Sequence, residues 1–411
     1  MSRRLLLAVA FVLAPAAAAQ DLLVNSALDL PDADLADGTC DADLDTPGDQ
    51  VTLRAAVQHA NATPGADTIL LPAGLWKLTR KGASEDAAAT GDLDVTEDLS
   101  ITGDGASLTI LDGKSAKDRL LEVHVGAVLT VAGVTLRRGV ATLELLGGGA
   151  IYVRGTLQMS TCIVTKNRST ADDAGAIEFD DVHAGPSTLT DVLFKANTAK
   201  DDGGAVDCDG GVVDLRGCTF AKNKAGDEGG GLEASDSSVS LINCTFSANR
   251  ATFDGGAVNV EQGGDVTLTH CTLVKNNAIE GAGLSIQDGL EGTDGTVRNG
   301  LFSNAGKRNF AGTATSGGGN LETGDSGLLA GEGDVGGANA KLLVFPLADN
   351  GGFTPTHLPK PGSPALDMAG DIFGGLVGDD QRGLPRPVDL AGLGTSASDA
   401  GAVELQADEL P

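Results

Sequence analysis

The stretch that decides the fold is residues 203–223, GGAVDCDGGVVDLRGCTFAKN, which recurs at residues 229–249 as GGGLEASDSSVSLINCTFSAN. Related blocks, each with a Gly/Ala pair before an apolar residue, recur through the middle of the chain. Their apolar residues are Ile151, Ile177, Val206, Leu232, Val258 and Leu284. A nearly fixed interval of about 26 residues indicates one supersecondary unit stacked along an axis.

A second series of residues repeats in phase with the first. Its copies typically begin with Cys or Val, have an apolar residue two positions later and end in Asn five positions after the start, as in Cys218, Phe220 and Asn223. The spacing of two is typical of a strand with one buried face. The Asn is predicted to turn the chain in a left-handed conformation and to bond through its amide to the Asn stacked on it.

These repeats predict two short strands joined by a polar turn in each period, with residues 215–220 in the second strand. No helical pattern lies between the strands, and the aromatic signatures of propeller blades are absent. The period fits one turn of an all-β parallel β-helix, a solenoid. At a strand spacing of about 4.8 Å, roughly eight coils between residues 91 and 304 give a rod about 40 Å long.

The two ends of the chain differ from the repeats. Residues 1–19 have the charged start, short apolar run and small residues of a secretory signal peptide. Residues 20–90 hold an acidic loop and one predicted helix at 52–60, which is expected to cap the open end of the solenoid. The repeats occupy residues 91–305. Residues 306–411, with eight of the 14 prolines, are expected to form a loop-rich C-terminal module.

The chain carries a formal net charge of −29. Such a charge repels nucleic acid and anionic lipid but is compatible with cation binding. After the signal peptide, no segment is long and apolar enough to predict a transmembrane helix. We therefore expect a secreted or cell-surface protein whose partner is a surface polysaccharide or protein and not nucleic acid.

Three parts of the chain resemble families of secreted bacterial proteins. The Gly-Gly-Ala-Ile and Phe-x-x-Asn repeats resemble those of polymorphic outer-membrane proteins and related right-handed parallel β-helix proteins. Residues 37–74 resemble the N-terminal CSLREA region, although relatives often have a second Cys where Val51 stands and Cys40 then lacks that partner. Residues 347–404, with LADNGGFTPTHL, GSPA, DQRG and DAGAVE, resemble the choice-of-anchor Q domain. The resemblance implies a right-handed β-helix at the cell surface, without an assigned activity.

Two functions fit these observations, a structural or adhesive role and, as the alternative, a carbohydrate-active lyase or hydrolase. Such an enzyme needs a groove in which carboxylates converge with a basic residue, or in which two carboxylates act as acid and base. Aspartate pairs occur at 172–173, 180–181 and 201–202. They are interpreted as turn residues, because the first and third adjoin glycine corners. Aromatic rings for sugar stacking are scarce, and the sequence assigns no catalytic residue.

One acidic stretch is a candidate calcium site, and calcium is the only cofactor that the sequence suggests. Residues 41–49 read DADLDTPGD, so that positions one, three and five aim oxygens at one hard cation. The stretch departs from an EF-hand loop, because Thr46 is at the sixth position and no Glu follows at the twelfth. A solvated acidic loop is the alternative. The predicted ligands are Asp41, Asp43, Asp45 and Asp49.

The histidines and cysteines form no local metal-binding pattern. The five histidines, interpreted as surface or turn residues, are His59, His124, His183, His270 and His357. Three cysteines fall at the same position of successive coils and are predicted to form a ladder of buried thiols, with a disulfide between one adjacent pair as the alternative. They are Cys218, Cys244 and Cys271.

Overall fold

The computed structural model describes residues 19–82, 85–142, 147–182, 185–287, 292–304, 308–324, 326, 329–370, 377–388 and 397–409. Within these residues, three parallel sheets wind into a solenoid of about eight turns, with one longer helix near the N-terminus. The predicted all-β parallel architecture is confirmed.

Each turn contributes one strand to each of three sheets, named sheet 1, sheet 2 and sheet 3 in chain order. Sheet 1 comprises β4 (Leu93–Val95), β7 (Leu121–Val123), β11 (Ile151–Val153), β15 (Ile177–Phe179), β18 (Val206–Cys208), β21 (Leu232–Ser235), β24 (Val258–Glu261), β27 (Leu284–Ile286) and β30 (Phe310–Ala311). Sheet 2 comprises β1 (Asp21–Leu23), β2 (Asp67–Leu71), β5 (Leu99–Gly103), β8 (Val128–Ala132), β12 (Thr156–Ser160), β16 (Ser187–Thr190), β19 (Gly211–Arg216), β22 (Ser237–Ile242), β25 (Asp265–Thr269), β28 (Asp294–Arg298) and β31 (Thr315–Ser316). Sheet 3 comprises β3 (Gly74–Lys77), β6 (Thr109–Asp112), β9 (Thr135–Arg137), β13 (Ile163–Thr165), β17 (Leu193–Lys195), β20 (Thr219–Ala221), β23 (Thr245–Ser247), β26 (Thr272–Val274), β29 (Leu301–Ser303) and β32 (Leu321–Glu322). A separate pair is formed by β10 (Val140–Ala141) and β14 (Arg168–Ser169).

The bend between sheet 2 and sheet 3 corrects the prediction of two strands per period. Residues 215–220 do not form one strand, because β19 ends at Arg216 and β20 begins at Thr219. The bend has left-handed backbone geometry, with φ of +67° at Gly217 and +52° at its counterpart Asn243. A left-handed residue redirects the chain sharply, so each turn has three strands.

The predicted asparagine ladder is present. Asn197 Nδ2 donates to Asn223 Oδ1 at 3.1 Å, and Asn223 Nδ2 donates to Asn249 Oδ1 at 3.0 Å. The left-handed residue, however, is the one before each Asn, with φ of +59° at the exposed Lys222. The buried amide of Asn223 also donates to the carbonyl oxygen of Phe194, so the ladder satisfies backbone groups at the corner.

The interior is filled by in-register columns of apolar side chains. Phe194, Phe220 and Phe246 stack with ring centroids 4.7 and 4.5 Å apart, close to the spacing of neighbouring strands. The thiols interpreted as a ladder are free and buried, at Cys218, Cys244 and Cys271. A register slip would move a whole buried column to the outer face, so these columns fix the register of the coils.

The predicted helix caps the N-terminal end as α1 (Leu53–Ala62). The hydroxyl of Thr52 accepts from the backbone N–H of Ala55 at 3.0 Å and so begins the helix. The guanidinium of the buried Arg54 contacts Asp29 at 2.6 Å and donates to the carbonyl oxygen of Gly91 at 2.7 Å. The helix is thereby attached to the chain just before β4, and β1 pairs with β2 at the N-terminal edge of sheet 2.

The C-terminal segment returns along sheet 3. It contains a short helix, α2 (Ala340–Leu343), and a 3₁₀ turn (Ala407–Glu409). Gln381 Nε2 donates to Thr219 Oγ1 at 2.8 Å, and its Oε1 accepts from Thr245 Oγ1 at 2.6 Å. None of the helices in the described part of the chain has the length and apolar character needed to cross a membrane.

Candidate functional site

The middle residues of the sheet 1 strands form one outward-facing column. Each follows directly after an apolar residue that points into the solenoid. Because successive residues of a strand face opposite sides of the sheet, the residue after it points outward. Neighbouring members of the column are paired in register. In chain order they are Asp94, Glu122, Tyr152, Glu178, Asp207, Glu233, Asn259 and Ser285.

In the N-terminal part of the column, the acidic side chains are paired with basic ones. Glu122 contacts Arg119 at 3.2 Å and also contacts Arg154. Asp94 lies 3.1 Å from His124 Nε2, and this hydrogen bond raises the pKa of His124 despite partial burial. The negative charge is compensated in this part.

Tyr152 lies between the compensated part and the rest of the column. The guanidinium of Arg119 lies 4.9 Å from the centroid of its ring, and its hydroxyl donates to Asp180. Burial and the hydrogen bond to Asp180 raise the pKa of Tyr152, so the phenol stays protonated. Because the ring is buried, it offers no open surface for stacking a sugar.

From Glu178 to Glu233, the column borders a groove of about 500 Å³. Among the described residues, those that line it include no Lys, Arg or His, and His183 lies outside the described residues. The aspartate pairs interpreted as turn residues contribute five of the carboxylates, so that interpretation was incomplete. The lining residues are Asp172, Asp173, Glu178, Asp180, Asp181, Asp202, Asp207, Asp209, Glu233, Ser235, Asp236, Glu261 and Gln262.

Three carboxylates of the column are buried in the groove without full hydrogen bonding. Glu178, Asp207 and Glu233 are 5%, 1% and 3% exposed. Each has one buried oxygen without a hydrogen-bond partner, namely Glu178 Oε2, Asp207 Oδ1 and Glu233 Oε2. Burial, reinforced by neighbouring carboxylates, raises the pKa of all three well above the usual range. Because buried charges in proteins are paired or coordinate a metal, these oxygens fit a bound cation.

Carboxylates around the column also have raised pKa values. Burial, with nearby negative charges, raises the pKa of Asp202, Asp209 and Glu228 to about 7 and that of Asp173 to about 6. The groove therefore takes up protons near neutral pH, and a cation bound there competes with those protons.

One ligand set lies at the C-terminal end of the groove. Oxygens of Glu228, Glu233 and Glu261 lie within 4.8 Å of one another. Asn259 Nδ2 donates to Glu228 at 2.7 Å and to Glu233 at 3.0 Å, while Asn259 Oδ1 is buried without a donor. A set that consists only of oxygen atoms suits a hard cation such as Ca²⁺. A second group within the same distance comprises Asp172, Asp173 and Asp201.

The four aspartates predicted as a calcium site lie in the N-terminal loop, away from these groups. Asp41 Oδ1 accepts from the N–H of Asp43 at 2.9 Å, and Asp43 Oδ1 accepts from the N–H of Asp45 at 3.1 Å. Asp45 and Asp49 are exposed. In the described part of the chain, the groups of three or more ligand atoms within 4.8 Å include none of the four. Calcium binding by this loop stays a prediction.

The interpretation of the histidines as surface or turn residues was wrong for two of them. His59 is buried in α1, and His357 is buried in the C-terminal segment. His357 Nε2 lies 3.0 Å from the hydroxyl of Ser247 on sheet 3. Burial lowers the pKa of His357 to about 4, so it stays neutral at the contact between the segment and the solenoid.

The outward column was not predicted from the sequence. Its signal is the residue directly after each apolar residue of the first series, where Glu178, Asp207 and Glu233 recur at the same interval as the apolar residues. The apolar residues alone are enough to predict the strands, but they do not indicate the acidic column.

Comparison with known proteins found similarity to one family model and to a solved structure. Residues 149–326 match the family described as right handed beta helix region. No curated protein matches the chain. The solved structure titled "Crystal structure of pectate lyase Pel9A" is similar over 95% of this chain and 98% of that chain, with 15% sequence identity and a TM-score of 0.49. The chain is a parallel β-solenoid, and its residues 149–326 are similar to proteins with a right handed beta helix region.

Proposed function

We propose that this chain is a secreted or cell-surface β-helix protein with an adhesive or structural role that depends on divalent cations, foremost Ca²⁺, bound in the acidic groove. The observation that carries the proposal is the part of the column formed by Glu178, Asp207 and Glu233. These three residues line a groove that no described basic side chain lines, and each has one buried carboxylate oxygen without a hydrogen-bond partner.

Electrostatics favours a cation in this groove. Successive members of the column belong to paired strands, so their Cα atoms are about one strand spacing apart. Two ionised carboxylates about 4.8 Å apart repel by about 3.5 kcal/mol at an effective dielectric constant of about 20. A divalent cation between them replaces this repulsion with attraction. Oxygen ligands and an open groove suit Ca²⁺, which accepts six to eight oxygen ligands and retains water.

A loaded groove gives a chain of charge −29 a means of binding an acidic partner. Without a cation, the groove repels uronate or sulfate groups of a surface polysaccharide. With Ca²⁺ in place, water ligands of the ion are exchangeable for carboxylate or hydroxyl oxygens of the glycan. This favours cation-dependent adhesion to acidic polysaccharide over binding of a neutral sugar.

The test is calcium titration of the full chain by calorimetry and thermal melting. Wild-type protein should bind Ca²⁺ and melt at a higher temperature in its presence, whereas Glu233→Gln should lose most of this response. Asp45→Asn, in the acidic N-terminal loop, is the matched control and should keep the response. Loss of the response in Asp45→Asn but not in Glu233→Gln would assign calcium to the loop and overturn the proposal.

A carbohydrate-active enzyme is the second candidate, and one observation favours it. The groove adjoins a basic cluster at Tyr152, where Arg119 and Arg154 contact Glu122 and Tyr152 donates to Asp180 on the groove wall. Carboxylates and basic residues are thus neighbours, as an enzyme requires. Incubation with acidic polysaccharides in calcium should yield new reducing ends or unsaturated products if this candidate is right. Binding without products favours the adhesive role.

A further inference from the structure

The fold brings together three side chains of metal-binding type beside helix α1, remote from the groove in sequence. Asp32 and Cys40 come from the segment that precedes the helix, and His59 comes from the helix itself. One ligand atom of each lies within 4.8 Å of the others. His59 Nδ1 is 4.0 Å from Asp32 Oδ2, which is too long for a hydrogen bond.

One atom of this cluster is buried without a partner. The Asp32 side chain is 0% exposed, and Oδ2 has no hydrogen-bond partner. Asp32 Oδ1 is used differently, because it accepts from the N–H of Asp34 at 3.0 Å. The oxygen without a partner is therefore the one that lies 4.0 Å from the imidazole of His59.

The surroundings hold the three ligands in place. His59 Nε2 lies 3.3 Å from Gln20 Oε1, so an N–H at Nε2 leaves the lone pair of Nδ1 directed at the cluster. The N–H of Asp32 donates to Gln58 Oε1 at 2.9 Å, which ties the segment to the helix. Cys40 is 7% exposed, so the cluster lies just beneath the surface.

We propose that Asp32, Cys40 and His59 bind a transition-metal ion of the Zn²⁺ class. A thiolate, an imidazole nitrogen and a carboxylate oxygen are the ligand types that Zn²⁺ takes, with water as the fourth ligand in an open site. Bond lengths of about 2.0–2.3 Å place tetrahedral ligands roughly 3.3–3.7 Å apart, so the cluster closes slightly on the ion. The thiol releases its proton to solvent when the bond to the metal forms. This site differs from the groove, whose ligands are all oxygen.

The test uses Co²⁺ as a spectroscopic probe on the full chain, with excess Ca²⁺ present to occupy the groove. One equivalent of Co²⁺ should produce a thiolate-to-metal charge-transfer band, and Zn²⁺ should displace it. Cys40→Ser should abolish the band. The affinity of this variant for Zn²⁺ should fall by more than the roughly 10–100-fold lost when only a residue that hydrogen-bonds a metal ligand is changed. Cys162→Ser, which removes another buried thiol, is the control and should keep the band.

A second measurement avoids dependence on a variant that fails to fold. In wild-type protein, Zn²⁺ should slow alkylation of Cys40, as followed by peptide mass mapping. Equal alkylation rates with and without Zn²⁺, the absence of a charge-transfer band, or a band that persists in Cys40→Ser would each overturn the proposal.

Discussion

Replacing Asp207 with Asn is expected to stabilise the cation-free protein at mildly alkaline pH. Asp207 is 1% exposed and pairs in register with Glu178 on one side and Glu233 on the other. The Asn side chain has nearly the same shape, so the substitution removes a charge and leaves the packing intact. The variant thereby isolates the electrostatic cost of the crowded carboxylates.

The size of the effect follows from the spacing of the coils. Two ionised neighbours at about 4.8 Å would cost about 7 kcal/mol at an effective dielectric constant of about 20. The carboxylates avoid ionising together, so a gain in the free energy of unfolding of about 1–3 kcal/mol is expected for Asp207→Asn.

The gain must depend on pH with a definite sign. Burial raises the pKa of Asp207 well above its usual range. A group whose pKa is raised on folding contributes stability below its unfolded pKa and loses that contribution as the pH rises through its folded pKa. Wild-type and variant proteins should therefore have similar stability at about pH 4.5, and the variant should be more stable at about pH 8.5.

Urea unfolding in a chelator measures this difference. Asp214→Asn, on the exposed face of sheet 2, is the matched control and should change the unfolding midpoint little at either pH. Equal or lower stability of Asp207→Asn at about pH 8.5 would refute the electrostatic account of the groove.

Three further predictions concern other parts of the molecule. Asn223→Ala removes the hydrogen bonds that this buried amide makes to the neighbouring coils. Urea unfolding should show a free energy of unfolding that is lower by about 3 kcal/mol, and a loss below about 1 kcal/mol would contradict a stabilising ladder. Calcium affinity measured by calorimetry should weaken as the pH falls through 7. Asp202 and Asp209 have pKa values of about 7, so protons compete with the cation below that pH. A calcium affinity that is independent of pH would contradict binding in the groove. Gln381→Ala removes the hydrogen bond to Thr219 and should speed proteolytic release of the C-terminal segment, while the circular dichroism spectrum stays unchanged. An unchanged rate of proteolysis would contradict the packing of this segment on sheet 3.

Much of the fold follows from the sequence because it is periodic. The asparagine at the corner is buried in the successive coils from Asn167 to Asn304, so its ladder is a local property repeated along the chain. The left-handed bend at Gly217 could not be placed in the same way, because its counterpart Asn243 is not glycine. The bend position accommodates several residue types and therefore has no sequence signature. For this reason residues 215–220 were predicted to form one strand.

The candidate site was less predictable, for a related reason. The acidic character of Glu178, Asp207 and Glu233 is visible in the sequence, but whether a basic side chain compensates their charge depends on which residues approach from other coils. Arg119 compensates Glu122 at one end of the column, and no described basic residue lines the groove. The approach of His59 to Asp32 was not visible in the sequence either, because it requires the segment before α1 to fold over the helix.

A crystal structure grown in millimolar calcium tests whether the acidic groove holds a divalent cation. We expect an anomalous peak in the groove with oxygens of Glu228, Glu233 and Glu261 at about 2.3–2.6 Å. A groove that contains only water beside these carboxylates under the same conditions would rule out the cation site.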